Sequence, residues 1–253
     1  MIGRSKRHLA SPVEGKKVDL RHLIFKTLSK FGYEVRRIHY PEWKNARAYW
    51  ESAYLKRLGF QPRTVVDVGV AYGTPPLYEA FPESYLVLIE PLKEFESHMQ
   101  EILKKYNGKY FLTGLGARDE KKIINVEPGY IERSSLYNRT PLELTADEIS
   151  QREIPVTTLD GIMEKHHIQP PFGLKIDAEG FEMQVIEGAS KFLLETQFVI
   201  TEVPVADRFE GGYSFADFIV LMNQRGFAVC DILDIGRADN SEVVFLDLVF
   251  RRT

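Results

Sequence analysis

The sequence of 253 residues contains a single cysteine, Cys230, and no run of about 18 apolar residues. One cysteine excludes a framework of internal disulfides and is typical of a reducing compartment, so we expect a cytoplasmic location. Cys230 lies in an apolar stretch, which favours a buried thiol. The lack of a long apolar run predicts no membrane span, and the basic start lacks the apolar core of a signal peptide.

An excess of charge of one sign is also missing from the chain as a whole. It has 33 Lys and Arg against 36 Asp and Glu, a formal net charge of −3, which does not favour nucleic-acid binding through bulk electrostatics. Residues 1–50, however, contain 12 basic and 4 acidic residues. We interpret this basic segment as a solvated face, with a surface that steers an anionic acceptor or docks on an acidic partner as the alternative.

Apolar periodicity divides the chain into two parts. Helical spacing predicts two helices within residues 1–60, which precede the first strand and would form an N-terminal cap. In residues 61–253, predicted strands and helices alternate, which indicates an α/β domain with a mostly parallel sheet. The last two predicted strands, residues 227–233 and 243–251, have no helix between them and are expected to pair as an antiparallel hairpin at the sheet edge.

A long polar stretch interrupts this alternation at residues 118–153. Loops of this length tend to be functional, and we predict a lid-like insertion that contributes to acceptor binding. Its Ser134–Ser135 pair and its polarity suggest that part of residues 127–145 is mobile without acceptor and closes over the site.

An acid and a glycine turn follow the first predicted strand, in VVDVGVAYG (residues 65–73). The next strand, LVLIEP (residues 86–91), ends on Glu90, 23 positions after Asp67. A strand-end acid about 20 residues on can reach a ribose hydroxyl, and glycines allow the backbone to approach a ligand. The pattern predicts a nucleoside-containing cofactor, whereas glycines that serve only the turn are the alternative.

The turn lacks the G-x-G-x-x-G spacing of dinucleotide sites, and its acid would repel a pyrophosphate. S-adenosylmethionine carries a sulfonium, an amino group and a ribose but no phosphate, so the electrostatics favour it over a nicotinamide cofactor. We predict its ribose on Glu90 and its methionine end near Asp67 and Gly69. The rest of the predicted cofactor set lies in the same turn or beside strand ends: Gly73, Pro91, Gly116 and Ala117.

These motifs, together with SSL at residues 134–136, IPVTTLD at 154–160 and above all LKIDAEGFEMQVIEGA at 174–189, resemble the FkbM-type S-adenosylmethionine-dependent methyltransferases. The resemblance covers residues 64–251. It implies a class I methyltransferase fold, which is a Rossmann-like, seven-stranded, mostly parallel sheet with a terminal antiparallel hairpin. It also implies O-methylation of a saccharide or secondary metabolite. The family usually has asparagine where this chain has Ala71, so an amide contact to the cofactor is expected to be lost.

Methyl transfer to an alcohol requires removal of the hydroxyl proton by a base or by a metal. Asp177 and Glu179 follow the fourth main strand, Lys175 shares a strand face with Asp177, and Glu202 ends the next strand. These four residues are the candidates for catalysis and acceptor contacts. Helix capping accounts for Glu182, and no histidine lies nearby in sequence, so no metal site is predicted.

Three other functions compete with this interpretation. A nucleic-acid methyltransferase usually has an [N/D]-P-P-[Y/F] turn after the fourth strand, whereas QPPF at residues 169–172 precedes it. A non-catalytic scaffold stays open because of Ala71, and a nicotinamide oxidoreductase would need glycine spacing and a Tyr-x-x-x-Lys pair that are absent. The expected partner is therefore a small-molecule or glycan acceptor, and nucleic acid is not expected.

Overall fold

Ten strands form the framework of the computed structural model, which describes residues 51–141, 149–238 and 240–253. In chain order these strands are β1 (Thr64–Val68), β2 (Tyr85–Ile89), β3 (Gly108–Phe111), β4 (Gly114–Leu115), β5 (Glu120–Val126), β6 (Ser150–Thr157), β7 (Phe172–Ile176), β8 (Thr196–Pro204), β9 (Phe227–Arg237) and β10 (Val243–Arg252).

The helices in the described residues are short. In chain order they are α1 (Ser52–Arg57), α2 (Pro75–Ala80), α3 (Glu96–Leu103), α4 (Leu159–His166), α5 (Glu182–Glu187), α6 (Ser190–Leu194) and α7 (Phe215–Gln224), with 3-10 turns at Lys93–Phe95 and Ile131–Arg133. None of them is long and apolar enough to cross a membrane. Of the predicted N-terminal cap, the first helix and most of the second lie outside the described residues, and α1 is the described part of the second.

Seven strands form the main sheet in the order β3-β2-β1-β7-β8-β10-β9. β1 pairs in parallel with β2 and β7, while β10 runs antiparallel between β8 and β9. The predicted seven-stranded sheet with a terminal antiparallel hairpin is confirmed, with β9 at the edge. Because the central strands are parallel, their carboxyl ends meet at one edge of the sheet, where ligands of such folds bind.

Helices cover both faces of this sheet. On one face, Leu77 of α2 and Met99 of α3 pack against Val65 and Leu86, and on the other, Phe192 of α6 packs in the cluster that contains Leu174. Every residue of β1 and of β7 is buried. This burial explains why these strands are almost continuously apolar rather than alternating, and it makes the charged exceptions within them conspicuous.

The polar interruption at residues 118–153 contributes β5 and the first part of β6 to a second sheet of three strands, in the order β4-β6-β5. The apolar pattern of residues 110–115 predicts a single strand. This prediction is wrong, because Gly108–Phe111 joins the main sheet and Gly114–Leu115 joins the small one. IPVTTLD likewise continues β6 of the small sheet rather than the main one. Ile124, Val126, Ile154 and Val156 form an apolar cluster with Leu92 and Phe95, which fixes the small sheet beside the end of β2.

The sequence pattern of residues 182–194 predicts a single helix, whereas the structure has two, α5 and α6, with a break at residues 188–189. A Cβ atom on Gly188 would overlap the carbonyl oxygen of Gly116, so the chain here lies directly on the backbone after β4. The carboxylate of Asp160, from α4, accepts hydrogen bonds from the N–H groups of Lys191 and Phe192 at 2.9 and 2.8 Å. A neighbouring helix thereby supplies the cap that starts α6.

The prediction of a buried Cys230 is wrong, because this side chain is exposed. β9 is the edge strand, and its pairing with β10 shifts register between Val249 and Phe250, next to Cys230. Ala228 and Val229 are exposed as well, so the exposure belongs to this part of the edge strand and not to one residue.

Candidate active site

The glycine turn after β1 is built around two close backbone approaches. Gly69 has a φ of +71°, and a Cβ atom there would overlap the carbonyl oxygen of Asp177, so only glycine allows the ends of β1 and β7 to meet. Gly73, at the far end of the turn, has a φ of +95° and packs against Ile102 of α3. Ala71, between them, also has a positive φ, of 43°. Left-handed backbone at a non-glycine residue is uncommon and often marks a functional site.

Glu90, directly after β2, holds this turn. Its carboxylate accepts a hydrogen bond from the N–H of Ala71 at 3.1 Å and one from the N–H of Leu92 at 3.0 Å, one on each oxygen. Glu90 is buried, and this burial raises the pKa of its carboxyl to about 7. The predicted ribose acid therefore lies at the turn, and each of its oxygens retains one lone pair for a ligand hydroxyl.

Lys175 links the glycine turn to the acids. Its Nζ donates a hydrogen bond to the carbonyl oxygen of Gly69 at 3.1 Å and lies 3.2 Å from Oδ1 of Asp67 and 3.6 Å from Oδ2 of Asp177. Register explains the contact, since Asp67 and Lys175 are direct neighbours on the parallel strands β1 and β7. Burial lowers the pKa of Lys175, but the two aspartates outweigh it and raise that pKa above its usual range, so the ammonium stays charged.

The two aspartates of this group differ in access to solvent. Asp67 is completely buried and also accepts a hydrogen bond from the hydroxyl of Tyr78, whereas 43% of the Asp177 side chain is exposed. The predicted cofactor residue Asp67 thus lies beneath the turn, where its carboxylate supports Lys175. Burial raises the pKa of Asp177 and Lys175 opposes that rise, which suits a carboxylate that exchanges a proton.

The turn after β7, residues 177–182, is fixed by its own last side chain. Oε1 of Glu182 accepts hydrogen bonds from the N–H groups of Ala178 and Gly180 at 2.9 and 3.1 Å, and Oε2 accepts one from the Tyr213 hydroxyl at 2.6 Å. Glu182 therefore satisfies backbone donors of the turn that precedes α5, and not the N–H groups of the helix that a capping residue bonds. Burial raises its pKa to about 6.

Glu179 and Glu202 contact two arginines, Arg139 and Arg208, which the sequence patterns did not predict as site residues. Glu179 accepts a hydrogen bond from Arg139 at 2.9 Å and lies 3.7 Å from Arg208, which also donates to Glu202. Burial raises the pKa of Glu179, but the two guanidiniums outweigh it and hold that pKa below its usual range. For Glu202 burial prevails over Arg208, and its pKa lies well above its usual range. The arginines were missed because they are 40 and 29 positions from Glu179, and nothing in their local sequence pairs them with it.

The remaining predicted cofactor residues lie on the small-sheet side of this edge. The N–H of Gly116 donates to the carbonyl oxygen of Thr157 at 2.9 Å, and a Cβ atom on Gly116 would lie 3.1 Å from the ring of Phe181. Ala117 adjoins Gly188, and Pro91, half-buried, directly follows Glu90. In the part of the chain that the structure describes, no group of three or more His, Cys, Asp or Glu side chains is arranged to hold a metal ion.

Comparison with known proteins supplies the family. The model of the methyltransferase FkbM domain matches residues 67–229, which include the glycine turn, Glu90 and the 177–182 turn. No curated protein matches the chain.

Among solved structures, similarity is low in sequence and moderate in shape. Magnesium protoporphyrin IX methyltransferase from Synechocystis PCC 6803 is 8% identical over 94% of this chain and 100% of its own, with a TM-score of 0.46. The 1,6-didemethyltoxoflavin-N1-methyltransferase of Burkholderia thailandensis is 11% identical over 96% and 94%, with a TM-score of 0.44. An rRNA methylase from Streptococcus thermophilus is 11% identical over 79% and 93%, with a TM-score of 0.45.

Proposed function

This chain belongs to the FkbM methyltransferase family, whose methyl donor is S-adenosylmethionine, and we propose that it methylates a hydroxyl of a saccharide or a related polar metabolite. The observation that carries the proposal is Asp177. It is a half-exposed carboxylate at the point where the glycine turn meets the end of β7, and a buried lysine lies 3.6 Å from it. The saccharide class comes from the family resemblance.

The residues around the turn fit S-adenosylmethionine better than a dinucleotide. Each oxygen of Glu90 accepts one backbone hydrogen bond and keeps a lone pair for a ribose hydroxyl. The helix after the turn, α2, begins with Pro75 and Pro76, which lack the N–H groups that would bind a pyrophosphate. When bound, S-adenosylmethionine supplies a methyl group on a cationic sulfonium, and Asp177 is the exposed anion on this edge.

Asp177 is the residue we assign to the acceptor hydroxyl. Its exposed oxygen can accept the hydroxyl's hydrogen bond and then its proton, while Lys175 limits the carboxylate's movement. Lys175 and Asp67 act through Asp177 and the turn and are positioning residues. Glu202 is the next candidate base, since its raised pKa also favours proton uptake.

Transfer of labelled methyl groups tests this proposal. The purified protein is incubated with methyl-tritiated S-adenosylmethionine and a panel of neutral, amino and acidic saccharides, with RNA and single-stranded DNA in parallel. We expect label in a saccharide fraction and equimolar S-adenosylhomocysteine. Label in RNA or DNA would support the alternative function of a nucleic-acid methyltransferase. Cofactor binding without transfer to any acceptor would support a non-catalytic scaffold.

A further inference from the structure

Glu179 joins two chain segments that are far apart in sequence. One is residues 131–141, which supply Arg139, and the other is the loop at residues 205–212, which supplies Arg208. Only 4% of the Arg139 side chain and 6% of the Arg208 side chain are exposed, so both guanidiniums meet the carboxylate away from bulk water. Ion pairs shielded in this way depend strongly on both partners.

The backbone around Glu179 is fitted to the same two segments. Glu179 has a φ of +47°, and its carbonyl oxygen accepts a hydrogen bond from the Ser135 hydroxyl at 2.6 Å. A Cβ atom on Gly180 would lie 2.7 Å from the ring of Phe209, so the loop at 205–212 packs directly on the turn. The centroid of the Phe209 ring lies 5.0 Å from Cζ of Arg139 and 5.3 Å from Cζ of Arg208, so the ring contacts both guanidiniums.

The two segments also bond to each other. The N–H of Thr140 donates to the carbonyl oxygen of Arg208 at 3.0 Å, and the N–H of Glu210 donates to that of Asn138 at 2.9 Å. An exposed side-chain bond, Asn138 to Glu210 at 3.1 Å, adds to this contact. The two segments thus contact each other as well as the turn that carries Asp177.

We propose that Glu179 is a positioning residue that ties residues 131–141 and 205–212 to the end of β7, so that both segments hold the acceptor side of the crevice as one unit. The inference rests on the proposed function in taking the Asp177 side as the acceptor side. It assigns Glu179 a role other than proton transfer, because its carboxylate is already shared by two guanidiniums. It also predicts that the 131–141 part of the insertion does not move alone.

Hydrogen exchange of the ligand-free protein tests the proposal without knowledge of the acceptor. In Glu179→Gln, we expect the amides of both segments, including those of Ser135, Thr140 and Glu210, to exchange about tenfold faster or more. Glu210→Gln is the matched control, since it alters an exposed glutamate between the same segments, and it should change exchange by less than about threefold. Exchange in β1 and calorimetric affinity for S-adenosylmethionine should stay at the wild-type values in both variants.

Two further variants separate the contact of Glu179 with Arg139 from its contact with Arg208. Arg139→Gln should loosen residues 131–141 more than the 205–212 loop, and Arg208→Gln should do the reverse. Glu179→Asp, which keeps the charge, should restore most of the protection that Glu179→Gln loses. If Glu179→Gln does not fold, Glu179→Gly replaces it, because glycine accepts the positive φ without strain while it removes the carboxylate together with its two methylene groups.

Three results would overturn the proposal. The first is unchanged exchange in both segments of the folded Glu179 variant, and the second is a response confined to one segment. The third is a Glu179→Gln enzyme with wild-type protection whose methyl transfer loses the acid limb of its pH profile, which would make Glu179 a base. Failure to find a saccharide acceptor would leave the exchange result intact, so the two proposals fail separately.

Discussion

At the scale of the residue, the account depends on three charges with different access to water. Lys175 and Asp67 are buried partners, and Asp177 is the member that reaches solvent. A buried ammonium beside two carboxylates leaves one net negative charge, and it is exposed only at Asp177. Of the four candidate catalytic residues proposed from the sequence, Asp177 is therefore the one we assign to proton transfer.

Asp177→Asn keeps the shape of the side chain and removes its charge. We expect kcat for methyl transfer to fall by about 10²–10⁴-fold, the range typical of a general base, with affinity for S-adenosylmethionine nearly unchanged. Turnover assays and calorimetry give the two quantities. The control is Asp207→Asn, which makes the same change at an exposed side chain of the 205–212 loop and should retain full turnover. Normal turnover with lost cofactor affinity would make Asp177 a cofactor ligand and Glu202 the next base to test.

Glu90→Ala removes the acid that the ribose is proposed to contact and also frees the N–H of Ala71. Loss of hydrogen bonds to a charged group should weaken S-adenosylmethionine binding by about 1–3 kcal/mol. Calorimetry of Glu94→Ala provides the comparison, since Glu94 lies four residues past Glu90 and forms a surface pair with Arg152. Equal affinities of Glu90→Ala and wild type would remove Glu90 from the cofactor site.

At the scale of the element, the turns and helix ends near the site are fixed by side chains that act on backbone. Glu182 closes its own turn, and Asp160 caps a helix from outside it. The first interaction holds the turn that carries Asp177 and Glu179, and the second holds the start of α6, so the loss of either should appear in stability before it appears in chemistry.

Glu182→Gln should change how stability depends on pH. Burial raises the pKa of Glu182 from 4.5 to about 6, so between these values the native chain holds a proton that the unfolded chain has lost. Stability of the wild type therefore falls as pH rises through this window, by about 2 kcal/mol in total. Gln keeps an oxygen for the N–H groups of Ala178 and Gly180 and cannot ionise. Urea denaturation at several pH values between 4 and 7 should show the free energy of unfolding of the variant rising relative to that of the wild type as pH increases. If the two free energies changed in parallel with pH, the raised pKa of Glu182 would be refuted.

Asp160→Ala removes the cap of α6 and should lower the free energy of unfolding by about 1 kcal/mol. Glu164→Ala, on the same helix, breaks only the exposed pair with Lys191 and should cost less than about 0.5 kcal/mol. Urea denaturation of the two variants measures the difference. Equal losses would show that the carboxylate of Asp160 does not stabilise this helix.

Local patterns predicted most elements of the main sheet, because buried strands, glycine turns and strand-end acids are visible within about ten residues of sequence. Strand periodicity predicted in the same way that Lys175 and Asp177 share a strand face, and the structure places Nζ of Lys175 3.6 Å from Oδ2 of Asp177. The small sheet was missed because β4 has only two residues, Gly114 and Leu115, and its partner β6 begins at Ser150. Arg139 and Arg208 were missed for the same reason, since their pairing with Glu179 exists only once distant segments meet.

At the scale of the whole molecule, the carboxyl edge of the main sheet brings the two turns into contact. Gly69 and Asp177 meet backbone to backbone, so the residues proposed for cofactor and acceptor lie at one edge of the sheet. The small sheet borders it beside β2, and the 205–212 loop borders it beside β8. The edge combines exposed negative charge with a helix start that has no N–H groups at its first two positions.

Calorimetric titration of the wild-type protein with S-adenosylmethionine and, in a matched experiment, with NAD tests this account most directly. The crevice should bind S-adenosylmethionine at one site per chain and give no binding heat with NAD, because the prolines of α2 cannot hold a pyrophosphate and Asp177 repels it. Binding of NAD in place of S-adenosylmethionine, or binding of neither, would contradict the account.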